Sequence, residues 1–387
     1  MGYGAYSTDV IVIGDGITGL STALHLAAKG IKCILIGEGK GQGMSYRSPG
    51  LISGGQGDNF TRFEHRLGRQ KAARIWKFGD RSFDHLLQYL EGEGLFVQCR
   101  RRLRMVVTPE ELLEAREAVL GLNKIGVESG LIEDTNHEFF SGLRERVLAI
   151  QDDGWRGGIV NPHQLLAHLR AKIDGRTVVD RAVNMIITEN GAAVRTAEGR
   201  TVKAEFVVIA MHTLIPKFVP VLEKAIVPVA DQYSQFDWKA KGFWESPGIV
   251  FSAHHGYEWG GTKLSGGTVI GGGRFLRELA GIGSREATVD AKIQKYLATQ
   301  VEKTFSWVAN PRMTNSIAGI DIYPCDELPI IGPLFGEGRI LVATGYMGNG
   351  LTQGFFAGKC ITDIVAEGQC LDLPQQMSPT RLRSLSA

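Results

Sequence analysis

Residues 9–36 constrain the fold of this chain more than any other stretch. Asp9-Val-Ile-Val-Ile13 is a β-branched run suited to a strand buried on both faces. It runs straight into Gly14-Asp-Gly-Ile-Thr-Gly19, and Leu20 to Ala28 carries the apolar positions of a helix packed on a sheet. Gly30 is placed to end that helix, and Ile31 to Ile36 reads as a second strand. A G-x-G-x-x-G run between strand and helix, inside a β-α-β unit of about thirty residues, reads as a phosphate cradle, with a glycine turn that holds no ligand as the alternative. Gly14 allows the tight turn, Gly16 lets backbone approach a pyrophosphate, and Gly19 permits close helix–strand packing. The N–H groups at Ile17 and Thr18 then face the phosphates with the positive end of the helix dipole. Asp15 is an oddity, since an acid beside pyrophosphate repels it unless the side chain turns away. An acid ending the second strand accepts ribose hydroxyls in such units; the expected position here is Gly37, so Glu38 is the candidate, with backbone alone as the alternative.

Composition excludes several classes. Glycine is 50 of 387 residues, nearly double the usual ~7%, but without a repeat, so the chain is neither collagen-like nor low-complexity. Lys and Arg number 43 against 41 Asp and Glu, a net charge of +2 that gives no electrostatic reason to expect nucleic acid or an acidic membrane. Arg100, Arg101, Arg102 and Arg104 lack interleaved aromatics and read as a solvated strand edge. Cys33, Cys99, Cys325, Cys360 and Cys370 are odd in number and scattered, which argues against a disulfide framework and against a zinc site. No secretory leader is visible at Met1 to Thr8, and no apolar run approaches the ~18 residues that span a bilayer. A cytoplasmic protein without metal is expected.

Further along, Phe60 to about Glu91 turns helical, Leu103 to Val107 reads as a strand, and Pro109-Glu-Glu111 opens another helix. A helix follows from about His163 to Ile173, then strands over Ala182–Thr188, Ala192–Thr196 and Phe206–Ala210. Residues 222–325 look β-rich with glycine turns. The last unit is a strand at Arg339–Ala343, a turn from Gly345 to Gly350 and a helix to about Ala366; the tail beyond Leu371 reads as frayed.

Five separated segments share one pattern: the N-terminal cradle, Gly43 to Gly50, Gly158 to Pro162, Ala204 to Ala210, and Asp326 to Gly332 followed by Gly345 to Gly350. Together they resemble the FAD-dependent D-amino-acid oxidase superfamily, in the branch of glycine and sarcosine oxidases and gamma-glutamylputrescine oxidase, from about residue 9 to 368. The resemblance implies an α/β fold: a Rossmann-like FAD-binding domain and a second α+β substrate domain built on a mixed β-sheet. The expected boundaries are 1–93, 154–221 and 330–370 for the first, 94–153 and 222–329 for the second, and 371–387 for the tail. It implies that Ser45 and Arg47 wrap the cofactor, that the Val183 backbone faces adenine, and that Gly348-Asn349-Gly350-Leu351-Thr352 point N–H groups at the flavin N1–C2=O edge.

The implied reaction is oxidation of a C–N bond: hydride passes to flavin N5, water hydrolyses the imine, and O2 or another acceptor takes the electrons. The position where glycine-oxidase-like relatives carry an arginine for the substrate carboxylate is Asp321, and the sarcosine-oxidase lysine matches Thr352. With both cationic anchors missing, an amine presenting a cationic nitrogen to Asp321 is the expected substrate. The expected walls are Tyr257, Trp259, Tyr323, Tyr346 and Met347. Asp321 in a structural hydrogen bond is the alternative. Lys263 and His255 are weaker catalytic candidates, each with a structural alternative, as have His212 and His254. The cysteine that binds flavin covalently in some sarcosine oxidases matches Gly319, so FAD is expected to be non-covalent. The competing functions are an amino-acid oxidase anchored by Arg47 or Arg274, and a non-catalytic flavin-binding subunit. Oligomeric state is left open.

Overall fold

The structure, a computed structural model, describes residues 5–144, 146–173, 175–237, 242–308, 311–334 and 337–386. Its contacts divide the chain into two compact units, residues 1–46, 162–228 and 321–387, and residues 47–161 and 229–320.

In the first unit the strand Ala5–Ile13 lies between Thr201–Ile209 and Cys33–Gly37, parallel to both. Val10, Ile11, Val12 and Ile13 are fully buried, as a strand with neighbours on both sides and helices on its faces must be. Thr177–Val179 extends the parallel set beyond Cys33–Gly37, and Glu337–Thr344 joins it beside Thr201–Ile209. The antiparallel pairs Ala182–Thr188 with Gly191–Thr196, and Ile330–Leu334 with Glu337–Thr344, complete an eight-stranded sheet. The helices Ile17–Ala28, Pro162–Lys172 and Gly350–Glu367 belong to this unit.

The second unit carries a mixed eight-stranded sheet. Antiparallel hairpins dominate it, and Val250–Ala253 pairs in parallel with Arg102–Val106. A three-stranded antiparallel sheet of Leu51–Ser53, Gly157–Val160 and Val97–Arg100 accompanies it. Its core gathers Leu103, Ile150, Phe236, Trp244, Phe251, Leu297 and Phe305. The α/β class with a mixed-sheet second unit is therefore as expected.

Several local expectations need correction. The helical stretch after Phe60 is two helices, Phe60–Leu67 and Arg69–Gly92, broken at Gly68 (φ +77°). The β-rich region holds a helix, Ala291–Thr304, whose N-cap Asp290 accepts from the Lys292 N–H at 2.8 Å and whose Ile293, Leu297 and Val301 are buried. That cap and the apolar spacing of four were present in the sequence. The tail is not frayed: Met377 and Leu382 are buried, and Arg381 pairs with Asp326 at 2.6 Å. Arg102 and Arg104 are not a solvated edge. Both are buried, donating to backbone carbonyls of residues 54–58, with the Asp153 carboxylate 3.5–3.7 Å away. A loop of glycines offers carbonyls with no strand partner, and guanidinium groups satisfy them. Residues 47–93 and 154–161 fall in the second unit, whereas 222–228, 321–329 and the tail fall in the first.

Candidate functional site

Two glycine-rich turns in the first unit start two helices. At the first, Gly14 holds φ +113°, and a Cβ there would collide with the Ala210 carbonyl. The helix Ile17–Ala28 begins at Gly16 with no side-chain cap and no acid in its first turn. Ser45, in the single turn Met44–Arg47, accepts from the Ile17 N–H at 3.1 Å, and a Cβ on Gly16 would lie 3.3 Å from the same Oγ. Ser45 thus sits at the cradle.

At the second turn, Met347 (φ +46°) and Gly348 (φ +85°) are both left-handed, and the helix Gly350–Glu367 starts at Asn349 without a side-chain cap. Gly348 and Gly350 have no atom within 4 Å of where a Cβ would stand. Leu351 and Thr352 are buried, and Thr352 Oγ1 donates to the Asn349 carbonyl at 3.2 Å. The Thr344 hydroxyl, at the end of the preceding strand, is buried with no hydrogen-bond partner among the described residues.

The two helices lie side by side and run in the same direction. Tyr346 Oη shares a hydrogen bond with Thr18 Oγ1 at 3.1 Å, Ser21 Oγ donates to the Phe355 carbonyl at 2.6 Å, and Lys29 pairs with Asp363 at 3.2 Å and with Glu367. Contacts that advance together along both helices define parallel packing. Glycines make the approach possible: a Cβ on Gly354 would meet Thr18 Oγ1 at 2.8 Å, and one on Gly358 would meet Ser21 Oγ at 2.5 Å and Thr22 N at 2.6 Å. Both N-termini, neither closed by a side chain of its own N-cap residue, therefore open at one end of the pair, with Ser45 holding the Ile17 N–H of the first.

Each such end carries roughly half a positive charge and unsatisfied N–H groups. Two of them side by side repel unless something negative adjoins both. A flavin dinucleotide offers a pyrophosphate and an electron-rich ring edge, so the residues present fit that group.

Other candidates in this unit are placed as follows. Asp15 turns its carboxylate onto the end of the second strand, where Oδ2 accepts from the Gly39 N–H at 2.8 Å and lies 3.1 Å from Arg170. The expected repulsion is thereby removed. Glu38 is exposed and paired with Lys40 at 2.6 Å. Val183 stands at a register shift between Ala182 and Asn184, so it has no partner in the ladder, and the Asp180 N–H nearby donates to the Gly37 carbonyl at 3.0 Å. Asp321 Oδ1 accepts from the Ile322 N–H at 2.7 Å and lies 3.9 Å from His212 Nε2. Tyr323 is on the same strand, Arg312–Pro324, and is half-buried. Tyr346 and Met347 are each 8% exposed; burial drives the Tyr346 phenol well above its ordinary pKa, against the opposing bond from Thr18.

In the second unit, the hairpin Glu258–Thr262 with Thr268–Gly272 carries Trp259, which pairs across the strands with Gly271 and lies against Tyr233, ring centroids 6.1 Å apart. A Cβ on Gly271 would enter the Trp259 ring. Tyr233 Oη donates to the Arg47 carbonyl at 3.0 Å, and the Arg47 guanidinium donates to the Ala318 carbonyl at 2.9 Å. Burial pushes the Tyr233 phenol up to about 12. Tyr257 is partly exposed, with the Arg274 guanidinium 5.3 Å from its ring centroid. Lys263 stands at the hairpin turn, 3.6 Å from Asp237. His255 has a left-handed backbone, and its ring meets Glu114 at 3.1 Å. His254 lies 3.8 Å from the buried Glu258. Among the described residues no helix is long and apolar enough to cross a membrane, and no His, Cys, Asp and Glu cluster could hold a metal.

Sequence reasoning missed Arg170, Thr344 and Tyr233. Only the triple glycine Gly271–Gly273 signalled the Trp259 contact, because a glycine within a strand marks a close approach, here that of the Trp259 ring.

Comparison with known proteins adds an independent finding. The model of the family described as FAD dependent oxidoreductase (DAO) matches residues 9–364. Gamma-glutamylputrescine oxidoreductase of Escherichia coli K12 is 22% identical over 377 residues, covering 92% of this chain and 83% of that protein. A probable oxidoreductase OrdL of Haemophilus influenzae is 37% identical over 92 residues, which is 24% of this chain and only 21% of that protein. The crystal structure of L-proline dehydrogenase from P. horikoshii superposes with a TM-score of 0.81 at 18% identity, covering 98% of this chain and 99% of that one.

Proposed function

As the chain belongs to the FAD dependent oxidoreductase (DAO) family, we propose that it oxidises a carbon–nitrogen bond of a small amine with non-covalently held FAD. The parallel pair of helix N-termini without a cap from their own N-cap residues, bridged by Thr18 and Tyr346, carries this reading. Gly14, Gly16, Ile17, Thr18 and Gly19 hold the pyrophosphate, with Ser45 beside them, and residues 348–352 hold the ring edge. When bound, FAD accepts the hydride equivalent taken from the carbon next to nitrogen. The chain's part is to steady the negative charge left at that edge, through N–H groups fixed before reaction. Backbone groups need no reorganisation, which is why they serve better there than mobile side chains.

Asp321 gives the substrate preference. One of its oxygens is engaged by its own strand, and it is flanked by His212, whose charge depends on protonation. A carboxylate in that setting attracts an ammonium and repels a substrate carboxylate by on the order of kcal/mol. The likeness to a gamma-glutamylputrescine oxidoreductase supports an amine donor, and the lack of a thiol at Gly319 supports non-covalent FAD. A second reading, an α-amino-acid or N-methyl-amino-acid donor with Arg274 as anchor, draws on the fold shared with L-proline dehydrogenase.

The test is a substrate panel on FAD-loaded protein, read as peroxide formation and as reduction of an artificial electron acceptor. Diamines and monoamines are expected to react faster than glycine, sarcosine, D-alanine or L-proline. The reverse order removes the amine assignment, and a protein that takes up no FAD removes the whole reading. Acid precipitation is expected to release all the flavin into the supernatant.

A further inference from the structure

Strand–turn–helix dinucleotide sites normally end their second strand in an acid that accepts the ribose hydroxyls. Here that residue is Gly37, the last of Cys33–Gly37, and the space above it is not empty. A Cβ at Gly37 would fall onto Asp15, 2.7 Å from its Cγ and 3.0 Å from its Oδ2. The carboxylate that elsewhere rises from the strand end descends here from the phosphate turn.

Its surroundings suit the same task. Oδ2 is fixed by the Gly39 N–H and by Arg170, which also donates to Tyr46 Oη at 3.0 Å. Oδ1 makes no hydrogen bond among the described residues, and the side chain is 23% exposed. Glu38, the other acid at this place, is turned to Lys40. Arg170 also answers the electrostatic objection, because it balances a charge that would otherwise repel the pyrophosphate one residue away.

We propose that Asp15 and Gly37 have exchanged roles, so that Asp15 Oδ1 accepts the hydroxyls of the adenosine ribose of FAD while Arg170 and Gly39 position it. This rests on the FAD reading above. It differs from a space-filling role for Asp15, in which the side chain replaces bulk missing at Gly37 and touches no ligand.

The experiment measures the Kd of flavin-free protein, by quenching of flavin fluorescence, for FAD and for an FAD analogue whose adenosine ribose lacks both hydroxyls. The natural protein is expected to prefer FAD by about tenfold or more, the ratio that one hydrogen bond to a charged group supplies. Asp15→Ala is expected to abolish that preference, and the exchange Asp15→Gly with Gly37→Glu to restore it. Far-UV circular dichroism reports whether each variant is folded; if the exchange does not fold, the Asp15→Ala result decides. Full discrimination retained in Asp15→Ala, or none in the natural protein while both flavins bind, overturns the proposal and leaves FAD binding intact. Failure to bind either flavin overturns the FAD reading instead.

Discussion

Replacing Gly358 by alanine tests the helix pair on which the cofactor reading depends. The added methyl would stand 2.5 Å from Ser21 Oγ and 2.6 Å from Thr22 N, and the second of these is backbone that cannot rotate aside. Overpacking of this kind costs about 1–3 kcal/mol. Ser21 Oγ also donates to the Phe355 carbonyl at 2.6 Å, so displacing it adds about 1 kcal/mol for the bond. Against this, alanine in place of glycine inside a helix gains about 1 kcal/mol. The net expectation is a loss of about 1–3 kcal/mol, or roughly 2–4 °C in Tm for each kcal/mol in a domain of 150–250 residues. Thermal unfolding of the flavin-free protein, followed by circular dichroism, measures it. Gly92→Ala is the control: its Cβ meets nothing within 4 Å, and the variant is expected to be as stable as the parent or slightly more so. A Gly358→Ala protein melting at or above the parent's temperature would refute close parallel packing of these helices.

Other outcomes are expected from the same packing and charge pairing. Tyr346→Phe leaves the buried Thr18 hydroxyl without its partner at 3.1 Å and is expected to lower stability by about 1 kcal/mol in urea titrations; no change would show that the bond is not made. Arg102→Met takes the donor from the Gly54 carbonyl and leaves Arg104 as the remaining guanidinium at the Gln56 carbonyl and beside the buried Asp153; it is expected to cost about 1–3 kcal/mol by denaturant unfolding, with unchanged stability contradicting the buried network. Burial pushes the Asp363 carboxyl up, but Lys359 at 2.8 Å and Lys29 at 3.2 Å outweigh it and hold it below its ordinary value. A carboxyl depressed on folding contributes stability above its unfolded pKa of ~3.9, and that contribution disappears as pH falls through the lower folded value. Asp363→Asn is therefore expected to be less stable than the parent at pH 7, with the gap narrowing as pH falls below ~3.9; a deficit that stays the same as pH falls through that range would exclude the ion pairs as its cause.

The sequence by itself determined the class of fold and the first cradle. Burial of Val10 to Ile13 on both faces, the need for glycine at Gly14 and Gly19, and the helix that follows are local consequences of strand and helix geometry, so residues 9–36 suffice to state them. The second glycine turn at Gly345–Gly350 was legible for the same reason, and the helix Ala291–Thr304 was legible although the β-rich surroundings obscured it. What only the tertiary structure decided depends on residues far apart in the chain. Nothing near Gly358 announces that Ser21 lies against it, nothing near Arg102 announces that the carbonyls of residues 54 and 56 await it, and Gly37 reads as a missing acid until Asp15 is seen above it. Periodicity records which face of an element is buried; it does not record which partner buries it. That choice follows from packing and charge compensation over the whole chain, and there the helix pair and the place of Asp15 against Gly37 were decided.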